Sequence, residues 1–146
     1  MMYDERFLTA MREELTRYGI EELRTSAAVD EKLKDAPGTT LVVVNSVCGC
    51  AARNARPAVA TALESAAKKP DHLYTVFAGQ DIDATRQART YFTGYAPSSP
   101  SIGLFKDGKF VFMLERHQIE GRSASEISAD LVGAFAKYAS DATANV

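Results

Sequence analysis

Cysteine is nearly absent from this chain: two occur in 146 residues, Cys48 and Cys50, with one residue between them. A secreted domain held by disulfides spreads its cysteines to close long loops, so this pair excludes that class. A bridge between Cys48 and Cys50 closes almost no loop and stabilises a fold very little. Charge of one sign is lacking too. Seventeen Lys plus Arg stand against 19 Asp plus Glu, a formal net charge of -2. No basic excess points to nucleic acid, and no acidic block points to a solvating tail. Long hydrophobic runs are missing; the longest aliphatic one, Leu41-Val42-Val43-Val44, is far too short to span a bilayer. The first residues, Met1 to Phe7, hold no basic stretch followed by apolar residues. No secretory signal is therefore expected, and a cytoplasmic location is the default. Repeats, linkers and low-complexity blocks are absent as well.

What is there suits one compact domain, with 46% hydrophobic and 25% charged residues. Residues 1–139 are expected to form it, and 140–146, small and polar, to fray. Phe7, Met11, Leu15 and Tyr18 recur at helical spacing, and Gly19 supplies a stop. A weak extended piece, Ile20 to Leu23, precedes a short helix from Ser26 to Lys34. The pair Pro37-Gly38 ends that helix. Thr39 to Asn45 is the clearest strand, apolar on both faces and hence central in a covered sheet. Cys48 to Lys69 then reads as one long helix, kinked at Pro57. Leu73 to Ala78 is a second buried strand. Asp81 can cap a helix from Ile82 to Phe92. Ser101–Phe105 and Lys109–Glu115 flank Asp107-Gly108, a strong hairpin signal. In the second of these strands Phe110, Phe112 and Leu114 should face one side, with Val111 and Met113 on the other. A capping box, Ser123 with Glu126, opens a last helix whose stripe is Ile127, Leu131, Phe135 and Tyr138. Two buried strands joined by a crossover helix should be parallel, and the closing hairpin makes the sheet mixed. The fold class is α/β, thioredoxin-like: a small mixed sheet with helices on both faces.

The chemistry is expected at Cys48, where the central strand hands over to the long helix. A nucleophilic cysteine acts as its thiolate, and the free thiol titrates near about 8.5. Unpaired amides and a positive dipole at a helix start lower that value. Gly49 allows a tight turn that leaves the sulfur uncovered, and Cys50 is placed as a resolving thiol. A one-residue disulfide is strained, so the pair suits mixed-disulfide exchange or isomerisation better than net reduction. Pro100 directly precedes a strand, where thioredoxin-like folds place a cis-proline facing the cysteine. Ser99 would then offer backbone groups to a substrate. Arg53 and Arg56 lie in the first turns of the helix; one of them can approach the sulfur, and both are otherwise solvated charges. His72 reads as an exposed loop residue and His117 as a structural or interface residue rather than a catalytic one. A metal or iron–sulfur module is the competing reading, but zinc wants four ligands and only these two histidines could join the cysteines. No metal site is assigned. A third reading is an interaction module without turnover.

Several blocks carry a family resemblance. Val44-Asn45-Ser46-Val47-Cys48-Gly49-Cys50-Ala51-Ala52 and Asn54-Ala55-Arg56-Pro57-Ala58 closely resemble the bacilliredoxins. So do Thr75-Val76-Phe77-Ala78-Gly79-Gln80-Asp81, Pro97-Ser98-Ser99-Pro100-Ser101 and Arg116-His117-Gln118-Ile119-Glu120-Gly121. The resemblance implies a thioredoxin-like fold and removal of bacillithiol from protein mixed disulfides. On that analogy Cys48 takes the bacillithiol onto itself, and free bacillithiol or a reductase pathway regenerates it. Disulfide isomerase activity is also attached to the family. No resident cofactor is implied; bacillithiol, a low-molecular-weight thiol, is the co-substrate and bacillithiolated proteins are the clients. Gly49, Arg53, Ser99 and Pro100 are the expected substrate-binding residues. Two departures stand out. Arg53 replaces the glycine usual after Cys-Gly-Cys-Ala-Ala, and Lys137-Tyr138-Ala139 stands where many members carry a further cysteine.

Overall fold

A computed structural model describes residues 4–139; the expected frayed tail, 140–146, lies outside the described residues. Helix α1 (Glu5–Thr16) starts on Asp4, whose carboxylate accepts from the Arg6 amide. Gly19, at φ +83, turns the chain into the short strand β1 (Glu21–Glu22). Helix α2 (Ser26–Leu33) is capped by the Thr25 hydroxyl. Strand β2 (Thr39–Asn45) follows and is buried at every position. A helical segment beyond it opens into a π-helical turn, Ala51–Ala55, and continues as α3 (Arg56–Ser65). Then come β3 (His72–Phe77), α4 (Ile82–Arg89), β4 (Ser101–Lys106) and β5 (Lys109–Leu114). The short helix α5 (Arg116–Ile119) and the long helix α6 (Ala124–Ala139) close the chain.

The five strands lie in the order β1-β3-β2-β4-β5. β1, β3 and β2 are parallel; β4 and β5 are antiparallel to their neighbours. Side chains alternate across β2, so Leu41 and Val43 join one core while Val42 and Val44 join the other. The first core is covered by α1, α3 and α6 through Leu15, Val59, Leu63, Ile127, Leu131 and Phe135. The second is covered by α2 and α4 through Val29, Leu33, Ala84 and Ala88. The helix-covered mixed sheet expected from the pattern is the one observed.

Five local readings change. On α1 the inward residues are Leu8, Arg12 and Leu15; Phe7 is 64% exposed. Arg12 displaces the expected stripe because its guanidinium reaches Glu22 and Asp81 and lies over the Phe77 ring. The long helix stops at Ser65 rather than Lys69, and Pro57 is met by widening. The Arg56 amide bonds the Ala51 carbonyl, five residues back, which seats a residue with no N–H at the start of α3. Asp81 does not cap α4 with its side chain, since Arg12 and Arg24 take the carboxylate, and α4 ends at Arg89. A bulge at Leu104/Phe105 breaks the alternation of β5, so Phe110 packs in the second core and Phe112 against the first. Asp107 and Gly108 do form the two-residue hairpin, at φ +49 and +81. Finally, His72 is half-buried at the start of β3, where its ring bonds the Pro37 carbonyl and stacks on Tyr74.

Candidate active site

The site begins at the end of β2. Asn45 is buried, and its side-chain oxygen accepts from the Ser46 amide at 2.9 Å and from Arg56 at 2.9 Å. Arg56 also bonds the Ser46 carbonyl at 2.7 Å and the Glu14 carboxylate at 2.8 Å. It is 2% exposed, so it is no solvated charge; it fixes the loop from which Cys48 projects. The neighbouring strand adds a bond from the Ala78 amide to the Asn45 carbonyl. Beyond this anchored base the Cys48 amide bonds the Ser46 hydroxyl at 3.2 Å. The Cys48 carbonyl accepts from the amides of Ala51 and Ala52, so Cys48 stands as the capping residue of the helical segment.

Both cysteines are free thiols and half-buried. Burial pushes the Cys48 thiol up, but the Ser46 hydroxyl, the amides of Ala51 and Cys50, and the charge of Arg116 together hold it below its ordinary value. Cys50 goes the other way. Burial raises it first, then a hydrogen bond to the Glu120 carboxylate at 3.4 Å, then the negative charges of Cys48 and Glu120. The geometry thus shifts the two neighbouring thiols in opposite directions, Cys48 toward ionisation and Cys50 away from it. Gly49 has ordinary helical backbone, and its missing side chain leaves room for the Arg53 guanidinium. A methyl built there would lie 2.7 Å from that group. Arg53 is exposed and lies over Gly49.

The Ser99–Pro100 bond is cis. Its loop is tied to the cysteines by one side chain, Arg116, on the first turn of α5. One guanidinium nitrogen of Arg116 bonds the Ser99 carbonyl at 3.2 Å. Another approaches the Cys50 sulfur at 3.9 Å and Glu120 at 3.4 Å. The cation beside the sulfurs is therefore Arg116, not Arg53 or Arg56. Sequence reasoning missed α5 and its two charged site residues. The signal was Glu115 and Gln118, three residues apart, which form a capping box, with Arg116 and Glu120 following at i,i+4 spacing. Among the described residues no cluster of three or more His, Cys, Asp or Glu is arranged to hold a metal ion.

A thioredoxin fold that presents a free cysteine of lowered pKa at a helix start, beside a cis-proline and an arginine, is a thiol–disulfide oxidoreductase. The comparisons agree. The family described as disulphide isomerase matches residues 3–139. A bacilliredoxin of Koribacter versatilis is 56% identical over 137 residues, 94% of each chain. A bacilliredoxin of Geobacillus kaustophilus is 50% identical over 136 residues, 93% of this chain and 94% of its own. Among solved structures, oxidised thioredoxin O2 from Arabidopsis thaliana superposes with a TM-score of 0.53 at 13% identity, covering 82% of this chain and 96% of its own. Fasciola hepatica thioredoxin gives 0.51 at 18%, covering 82% and 99%. The chain belongs to the bacilliredoxin family. No helix among its described residues is long and apolar enough to cross a membrane.

Proposed function

We propose that this protein removes bacillithiol from protein mixed disulfides in the cytoplasm, with Cys48 as the attacking sulfur. The observation that carries the reading is the sulfur of Cys48, half-buried at a helix start and held toward the thiolate by Ser46, two amides and Arg116. The Cys48 thiolate attacks the bacillithiol sulfur. A new disulfide joins Cys48 to bacillithiol, and the client cysteine leaves as a thiolate. Free bacillithiol then attacks the adduct, leaving as bacillithiol disulfide and restoring the Cys48 thiolate; alternatively Cys50, after losing its proton, attacks Cys48, releases bacillithiol and leaves a Cys48–Cys50 disulfide that a reductase pathway reduces. Cys50 acts second because its proton is held more tightly. The cis-proline loop, with Ser99 and Pro100, and Arg53 over Gly49 flank the client backbone. No cofactor takes part beyond the small thiol itself.

A client protein carrying bacillithiol provides the test. Intact mass should show the small thiol transferred to Cys48 and accumulating in a Cys50→Ala variant. A Cys48→Ser variant as active as the parent would end the reading. Disulfide isomerisation is the second reading, favoured by the description of the matching family. It predicts that a scrambled protein disulfide is rearranged with a Cys48–client adduct and without any small thiol.

A further inference from the structure

Three atoms form a triangle beside the reactive sulfur. Oε2 of Glu120 accepts from the Cys50 thiol at 3.4 Å. The same oxygen accepts from Nη2 of Arg116, also at 3.4 Å. That nitrogen lies 3.9 Å from the Cys50 sulfur. The anion thus stands nearer to Cys50 than the cation does. The backbone holds Glu120 in this place. Its amide bonds the Arg116 carbonyl at 2.8 Å, and Ile119 before it is fully buried in the first core. The carboxylate itself is 57% exposed, so its replacement disturbs no packing.

The two thiols answer to different groups. Ser46, the amides of Ala51 and Cys50, and the charge of Arg116 favour the thiolate of Cys48. Glu120 and the charge of Cys48 favour the thiol of Cys50, and Arg116 opposes them. Arg53, the other cation of this segment, lies over Gly49. A carboxylate that accepts from a thiol stabilises the neutral form and repels the anion. Disulfides are attacked by the thiolate, so a partner that favours the proton on sulfur slows the attack. Of the two charges that restrain Cys50, only one survives formation of an adduct. Capping Cys48 with a second sulfur removes its charge, whereas the Glu120 carboxylate stays. Cys50 is two residues from Cys48 and needs no encounter to reach it, an advantage over any thiol arriving from solution. Glu120 works against that advantage.

We propose that Glu120 restrains Cys50: by accepting the hydrogen bond of its thiol, it delays attack of Cys50 on the Cys48 adduct and leaves the adduct to an external low-molecular-weight thiol. Glu120 acts through Cys50, as a positioning residue. The inference rests on the exchange activity proposed above and adds what chooses between its two exits. In one exit an external thiolate bonds the sulfur of the small thiol, the bond to Cys48 breaks, and Cys48 leaves as a thiolate. In the other Cys50 gives its proton to water and its thiolate bonds the Cys48 sulfur. The small thiol then leaves as a thiolate, and a Cys48–Cys50 disulfide remains.

The test mixes the reduced full chain with one equivalent of dipyridyl disulfide and follows the pyridinethione released. The first release reports attack by Cys48. The second, with no reagent left, reports attack by Cys50 on the adduct. In Glu120→Gln the second release should be about two- to fivefold faster at pH 7, since each tenfold gain in thiolate is offset by about a threefold loss of nucleophilicity. Its pH profile should move toward acid, and the advantage over the parent should vanish once Cys50 is ionised in both. The second release should disappear in Cys50→Ala; its persistence would show that another group displaces the small thiol and would overturn the inference. An unshifted profile in Glu120→Gln overturns it too, and so does a slower second release, which would make Glu120 an aid to proton loss. Either of those results leaves the exchange reading intact. If Cys48→Ser gives the first release as fast as the parent, the exchange reading falls and takes the inference with it.

Discussion

At the scale of single residues, the site is a matter of where Arg116 puts its charge. It reaches Ser99, Cys50 and Glu120 at once and lowers Cys48 through space. Arg116→Met should therefore raise the Cys48 pKa. The reactive thiolate becomes scarcer at neutral pH, so the pH profile of Cys48 alkylation by iodoacetamide moves toward alkali. At pH 7 the variant should react about two- to fivefold more slowly, with the gap closing once both thiols are ionised. An unshifted profile would show that Ser46 and the helix amides do all of the stabilising. The place of Cys48 was legible from sequence because the aliphatic run ends just before it and the alanine-rich helix begins just after it. Arg116 was not, because it lies 68 residues along the chain from Cys48 and only the fold brings it near. Arg56 was misread for a related reason. A charge on a helix looks solvated until the carbonyl and the asparagine beneath it are known.

At the scale of elements, β2 shows what sequence pattern can carry. Four aliphatic residues in a row meant burial on both faces, and strand bounds, neighbours and parallel partner followed. The hairpin was readable because Asp-Gly supplies the two left-handed residues that its turn needs. The bulge beside it left no such mark, and it moved Phe110 to the opposite face. That face explains Gly103 on β4. A side chain there would meet the rings of Phe92 and Phe110 at 3.0 and 3.1 Å, and those rings stack on each other at 5.3 Å between centroids. Gly103→Val should cost about 1–3 kcal/mol through overpacking, lowering Tm by about 3–10 °C. Thermal unfolding followed by circular dichroism checks this, and a Tm within 1 °C (roughly the effect of a neutral surface change) would mean the aromatic pair yields freely.

At the scale of the whole molecule, two cores back onto one sheet, and a buried cation of the first helix ties that helix across the sheet's end. Arg12 on α1 holds Glu22 of β1 and Asp81 at the head of α4, and sits 4.9 Å above the ring of Phe77. One side chain thus spans elements that cover opposite faces. Arg12→Met should cost about 2–3 kcal/mol by leaving Glu22 and Asp81 without their shared partner; Arg24 still reaches Asp81 at 3.2 Å and softens the loss. Urea unfolding should show the midpoint falling at unchanged m-value. A fall in m instead would mean that α1 detaches from a sheet that stays folded. Composition could not announce this tie, since an arginine at an inward helical position looks like an interruption of the stripe.

The opposite pKa shifts of the two sulfurs have a consequence for timing. While Cys48 is anionic, its charge helps to keep Cys50 from ionising. In the proposed cycle, capping of Cys48 by a second sulfur removes that charge, and Cys50 then sheds its proton more readily, when a second attack is useful. On that proposal the adduct itself prompts its own release.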